Sequence, residues 1–202
     1  MLRLICRTVA PSQPLLMVAV MAMSLLAAVE QSSSQTAMPP EGSTIGFALT
    51  AADGSAVTER TYRGKWLLVY FGYTFCPDVC PITLMEIAGT LAALGQHAEA
   101  VQSLFVTVDP KRDTPEILSE YVRSFDPRIL GLTGTPPQIA AAAKSFNVFY
   151  ERRDTDDGGY VYDHTTLIYL VDPRGKFVKA IAGSAGAQQI ADALAAAMTA
   201  RR

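Results

Sequence analysis

"KWLLVYFGYTFCPDVCPITL", Lys65 to Leu84, joins a nearly all-apolar run to a pair of cysteines. The run from Lys65 to Tyr73 is rich in aromatic and β-branched residues and shows no polar alternation. It reads as a strand buried on both faces, the pattern of a central parallel strand. Beyond it, Cys80 to Leu94 carries apolar residues at helical spacing and stops at Gly95. Pro77 suits the first position of that helix, which places Cys76 at the junction of strand and helix. Open α/β sheets put their chemistry at that end of a strand.

The same reading extends to both sides. "IGFAL" and "SAVTE" form a hairpin around Asp53-Gly54, and "VQSLFVTVD" is a second buried strand. Thr114, Pro115 and Glu116 supply an N-cap, a first-turn proline and an early acid, so a helix is expected from Thr114 to about Phe125. Another runs from Pro136 to Phe146, and "NVFYERRD" is extended. "YVYDHTTLIYLVD" and "KFVKAIAG" read as two strands joined by a turn at Asp172 to Gly175, before a helix from Ala187 to Met198. These elements imply an α/β domain with a central sheet, helices on both faces and hairpins at the edges.

With 202 residues, half of them hydrophobic, the chain is long enough for one domain with a core and short for two. Its 17 basic and 19 acidic residues form no basic stripe, which argues against nucleic acid as a partner. The first thirty residues differ from the rest. Arg3 and Arg7 precede an uncharged stretch from Thr8 to Val29, the pattern of a signal peptide or N-terminal membrane anchor over residues 1–30. Residues 31–42 have a Ser, Pro and Gln composition suited to a linker, leaving 43–202 as the exported domain. The expected location is periplasmic, either free or anchored in the inner membrane with the domain outside.

Cys6 falls in the leading segment, so the domain keeps two thiols, Cys76 and Cys80. On one helix their Cα atoms would stand about 6 Å apart, within the range of a disulfide. The pair can therefore serve as a staple, a redox dithiol or part of a metal site. A staple closing so short a loop would add only ~2 kcal/mol. Unpaired N–H groups at the helix start should make Cys76 the more acidic thiol. A chelate needs a third ligand. His97, in "GQHAEA", fits a solvated loop, whereas His164 sits beside Asp163 at the start of an apolar run. Its local context alone fits a hydrogen-bonded core histidine, but two thiolates with one imidazole make a three-ligand set that suits copper better than closed structural zinc.

"FGYTFCPDVCP", "VTVDPKRDTPEIL" and "YDHTTLIYLVDPRGKF" together resemble the SCO/SenC family of copper-binding proteins, over roughly Ser43 to Leu194. The resemblance implies a thioredoxin-like fold with a mixed sheet and an N-terminal hairpin extension, and one copper ion, Cu(I) or Cu(II), held by Cys76, Cys80 and His164. It also implies delivery of copper to the binuclear site of cytochrome c oxidase, with that oxidase subunit, other copper chaperones or thioredoxin-like reductants as partners. Gly72, Tyr73, Thr74, Pro77, Asp78, Pro81 and Asp163 match the family pattern. So do Asp109, Arg112 and Asp113, for which turn and capping roles suffice.

The alternative is a thiol-disulfide oxidoreductase in which Cys76 and Cys80 are the redox dithiol. Such enzymes space their thiols by two residues, not three, and carry a proline where "YDHTT" stands. A peroxidase is disfavoured because Thr74 lies two residues before Cys76, out of register with the peroxiredoxin pattern.

Overall fold

The computed structural model describes residues 38–201. The expected signal or anchor, residues 1–30, and most of the expected linker lie outside the described residues. Among those described, no helix is long and apolar enough to cross a membrane.

Strand β3 (Trp66–Gly72) is buried at every one of its seven residues, because strands flank it on both sides and helices cover both of its faces. The strands β1 (Ala48–Ala51), β2 (Ala56–Thr58), β4 (Val101–Thr107), β5 (Ile129–Thr133), β8 (Leu167–Val171) and β9 (Phe177–Ala182) complete a seven-stranded sheet with β3, in the order β2-β1-β5-β4-β3-β8-β9. The central strands β3, β4 and β5 are parallel, and the outer pairings are antiparallel. The sheet is therefore mixed, with the Asp53-Gly54 hairpin at one edge, as expected. Strands β6 (Tyr150–Asp154) and β7 (Tyr160–His164) make a separate two-stranded ribbon.

Alternation along β3 sorts the helices α1 (Val79–Ala93), α2 (Pro115–Arg123), α3 (Pro136–Phe146) and α4 (Ala187–Ala200). Tyr70 packs on Phe105 at 5.9 Å, and Phe105 on Tyr121 of α2 at 6.0 Å. The Tyr70 hydroxyl meets Cys80 of α1 on that face. Phe71 points the other way, onto Phe146 of α3 at 5.3 Å. Helices α1 and α4 pack together where the Thr90 hydroxyl donates to the Ala187 carbonyl, 3.1 Å away.

Local chemistry sets the ends of these elements. The Thr114 hydroxyl caps α2 by accepting the Ile117 N–H, and the Thr135 N–H donates to Gln138 at the start of α3. At the β8–β9 turn, the Asp172 carboxylate accepts the N–H groups of Arg174 and Lys176, both at 2.9 Å, and Gly175 takes a φ of 75°.

Three expectations need correction. The stretch from Tyr160 to Asp172 is not one strand, because Thr165 and Thr166 break it and its halves join different sheets. Strand β5 has no counterpart in the sequence reading. It forms because Leu132 and its neighbours pair with both β4 and β1. Finally, α1 begins at Val79, so Pro77 is not its first residue and Cys76 lies before the helix.

Candidate metal centre

Strand β3 ends at Gly72, and the chain turns through Tyr73 to Asp78 before α1 begins. Cys76 sits in that turn and Cys80 is the second residue of the helix. Although the two are not on one helix, the helix start still acts on Cys76: the unpaired N–H of Cys80 donates to the Cys76 sulfur at 3.4 Å. The Cys80 thiol is the strongest influence pulling the Cys76 pKa down, to about 4, helped by the backbone N–H groups of Asp78 and Cys80. Cys80 moves the opposite way, because it donates to the Cys76 thiolate and is fully buried. The expected order of acidity holds, with a different leading cause. Both thiols are free.

His164, the last residue of β7, reaches the sulfurs from the ribbon. Its Nδ1 lies 3.1 Å from the Thr165 carbonyl, which can only accept, so Nδ1 carries the proton. In the neutral ring Nε2 then keeps the lone pair, and it points at Cys80 Sγ, 3.4 Å away. Tyr70 and Tyr73 meet the imidazole ring edge-on at 6.2 and 5.9 Å. The Tyr70 hydroxyl donates to Cys80 Sγ at 3.7 Å, and burial raises its pKa, which keeps it a donor. The ligand atoms of Cys76, Cys80 and His164 lie within 4.8 Å of one another, the only such group among the described residues that joins both thiols to an imidazole. Two sulfurs and one ring nitrogen at that spacing could hold one soft or borderline cation.

The loop after β4 supports the thiol turn. Asp113 is fully buried and accepts from the Thr74 N–H at 3.1 Å and from the Thr74 and Thr107 hydroxyls. Asp109, also fully buried, pairs with Arg112. Sequence reasoning gave these residues turn and capping roles only. The carboxylates face inward onto the segment carrying Cys76, a placement that local sequence does not reveal.

The centre opens into a pocket of about 450 Å³ lined by Tyr73, Cys76, Asp78, Arg153, Asp163 and His164 among others. Asp78 stands at the N-cap position of α1, exposed, with no side-chain capping bond. Asp163 pairs instead with Arg153. A larger cleft of about 830 Å³ lies beyond the opposite ends of β3 and β4, but no cysteine or histidine lines it. His97 is exposed in the turn Gly95–Ala100 after the far end of α1, roughly 20 Å along the helix from Cys80. It takes no part in the cluster.

Comparison with known proteins agrees with this geometry. The SCO1/SenC family model matches residues 36–199. The chain belongs to the SCO1/SenC family. An SCO2-like protein of Rickettsia prowazekii is 42% identical over 135 residues, covering 66% of each chain. ScoI of Bradyrhizobium japonicum, solved with copper bound, is 43% identical and superposes with a TM-score of 0.70 over 76% of this chain and 98% of that one. BsSco, a member of the Sco family of cytochrome c oxidase assembly proteins in which a disulfide switch has been identified, is 25% identical with a TM-score of 0.63, over 80% of this chain and 96% of its own. The mixed sheet flanked by helices is thus the thioredoxin-like fold of the Sco proteins. Relatives include mitochondrial and bacterial proteins, and the chain spans 40% to 66% of the length of the first relatives it matches.

Proposed function

We propose that this SCO1/SenC protein binds one copper ion through Cys76, Cys80 and His164 and passes it by ligand exchange to the binuclear copper site of cytochrome c oxidase during its assembly. One observation carries the reading: the sulfurs of Cys76 and Cys80 and a ring nitrogen of His164 converge within 4.8 Å, and Cys76 and His164 line a pocket. Thiolates favour Cu(I), and the imidazole makes Cu(II) accessible. Three protein ligands leave one side of the ion open for an incoming thiolate of the acceptor. Val79 at the pocket, Phe75 next to Cys76, and Ile82 and Met85 on the following turns of α1 are exposed, apolar side chains suited to close approach by a partner. The domain works on the exported side of the membrane, free or tethered by residues 1–30.

Anaerobic titration of the reduced chain with Cu(I) and Cu(II) tests the site. Cys76→Ala should weaken both states by at least a hundredfold, and His164→Ala should weaken Cu(II) far more than Cu(I). Unchanged affinities would sink the ligand set.

A second reading is reduction of the acceptor's disulfide, favoured by the acidified Cys76 beside a free Cys80. Cys76 thiolate would attack one acceptor sulfur, and Cys80 would then release the partner as a dithiol while this chain becomes the disulfide. Incubation with an oxidase copper-site fragment separates the two readings. Copper transfer without net thiol oxidation supports delivery, and reduction by the metal-free form alone supports the reductase.

A further inference from the structure

The ribbon β6–β7 has no ladder hydrogen bonds to the main sheet, yet its last residue is His164. Thr165 and Thr166 tie His164 to β8, with the Thr166 carbonyl accepting the Gly183 N–H at 2.9 Å, and the pose of the ribbon on that tether depends on what else fastens it to the body. One fastening is the Tyr162 N–H, which donates to the Tyr73 hydroxyl at 3.2 Å. The Tyr73 and Tyr162 rings also meet edge-on at 5.7 Å, and a further group of contacts centres on Arg112. Its Nη1 donates to the Tyr160 carbonyl at 3.0 Å, and its Nε pairs with Asp109. The same Asp109 carboxylate accepts the Tyr160 hydroxyl at 3.2 Å. The guanidinium carbon lies 3.8 Å from the centre of the Tyr160 ring, 4.7 Å from Phe75 and 5.7 Å from Tyr73.

Arg112 thus touches both ligand-bearing segments. Tyr160 begins the strand that ends in His164, and Phe75 directly precedes Cys76. The Nη2 of Arg112 is buried without a hydrogen-bond partner, an arrangement that stability alone does not favour. A flat, permanently charged guanidinium can stack on several rings and still fork its donors, which an ammonium cannot do.

We propose that Arg112 is a positioning residue that sets the distance between the His164 imidazole and the two thiols. The proposal rests on the three-ligand reading given above. Asp109 orients the guanidinium, Tyr160 transmits its position to the ribbon, and Phe75 ties the same group to the thiol turn. The two sulfurs approach one another without the ribbon, so Arg112 should matter most where the imidazole is needed. Loss of a group that orients a metal ligand typically lowers metal affinity 10- to 100-fold.

The test uses the reduced full chain, with Cu(II) as the probe. Affinity and the imidazole-nitrogen coupling in the electron paramagnetic spectrum are read for wild type, Arg112→Lys, Arg112→Met, Tyr160→Leu, His164→Ala and the Arg112→Lys/His164→Ala pair. Both Arg112 variants should bind Cu(II) about 10- to 100-fold more weakly, with altered nitrogen coupling, while Cu(I) binding changes less than threefold. Tyr160→Leu should reproduce the effect, and it carries the test alongside Arg112→Lys if Arg112→Met does not fold. The double variant should be no worse than His164→Ala, because the arginine acts through the histidine. Wild-type affinity and coupling in Arg112→Lys and Tyr160→Leu, or additive losses in the double variant, would overturn the positioning role alone. A His164→Ala chain that binds Cu(II) like wild type would instead overturn the three-ligand reading, and the positioning proposal with it.

Discussion

Cys76 and Cys80 are neighbours with opposite chemistry. Cys76 collects hydrogen bonds from the Cys80 thiol and from the backbone N–H groups of Asp78 and Cys80, so its charged form is favoured down to about pH 4. Cys80 is fully buried and serves as the donor in that set. Iodoacetamide at pH 6 should therefore alkylate Cys76 first, with peptide mapping showing little modification of Cys80. Equal labelling would contradict the assigned asymmetry. The sign for stability follows from the same shift. A folded pKa below the unfolded value means that the stabilisation from the Cys76 thiolate is complete above pH ~9 and is lost as pH falls toward about 4. The reduced apo chain should accordingly lose more stability between pH 8 and pH 5 than Cys76→Ser does, as read by denaturant midpoints.

At the scale of elements, the site depends on how β3 stops. A Cβ on Gly72 would lie 2.7 Å from Cys80 Sγ and 2.8 Å from Phe105, closer than packed atoms sit. Gly72→Ala should cost about 1–3 kcal/mol in urea unfolding and also weaken copper binding, since relief of the overlap moves Cys80. Thr114→Ala, which removes the α2 cap, should cost about 1 kcal/mol without changing copper affinity, because α2 carries no ligand. Most elements were legible from their own sequences. β3 and β4 are continuous apolar runs, and α2 and α3 announce themselves by threonine followed by proline. β5 was not legible: "ILGLT" is short and set among glycines and prolines, and its extended form comes from partners on both sides and from Leu118 packed at Gly131. The start of α1 was misread because Pro77 fits a first helical turn locally, whereas the chain uses Pro77 and Asp78 to wrap Cys76 beneath the helix end.

At the scale of the molecule, the proposed ligands come from two parts of the backbone, the end of the main sheet and the separate ribbon. A metal bridging them stabilises the folded state by mass action, because the unfolded chain does not hold the three atoms together. Copper at a hundredfold excess over its dissociation constant should stabilise the reduced chain by about 2.7 kcal/mol, which for a chain of this length raises the melting temperature by roughly 5–10 °C. Scanning calorimetry checks this. The oxidised chain should show almost no shift, since a disulfide offers no thiolate.

The resemblance to the SCO/SenC family implied a mixed sheet and His164 as the third ligand, whereas the sequence by itself determined that a buried strand runs into a dithiol and that a central sheet with helices on both faces encloses it. Those features follow from hydrophobic period, turn chemistry and ligand type, which are local. Only the tertiary structure decided that residues 160–171 divide between two sheets, that Thr165 fixes the imidazole tautomer, and that Asp113 and Arg112 brace the ligand-bearing segments. Each of these depends on contacts between residues distant in sequence, or on which face of the backbone a carbonyl presents, and neither is encoded in the identities of adjacent residues.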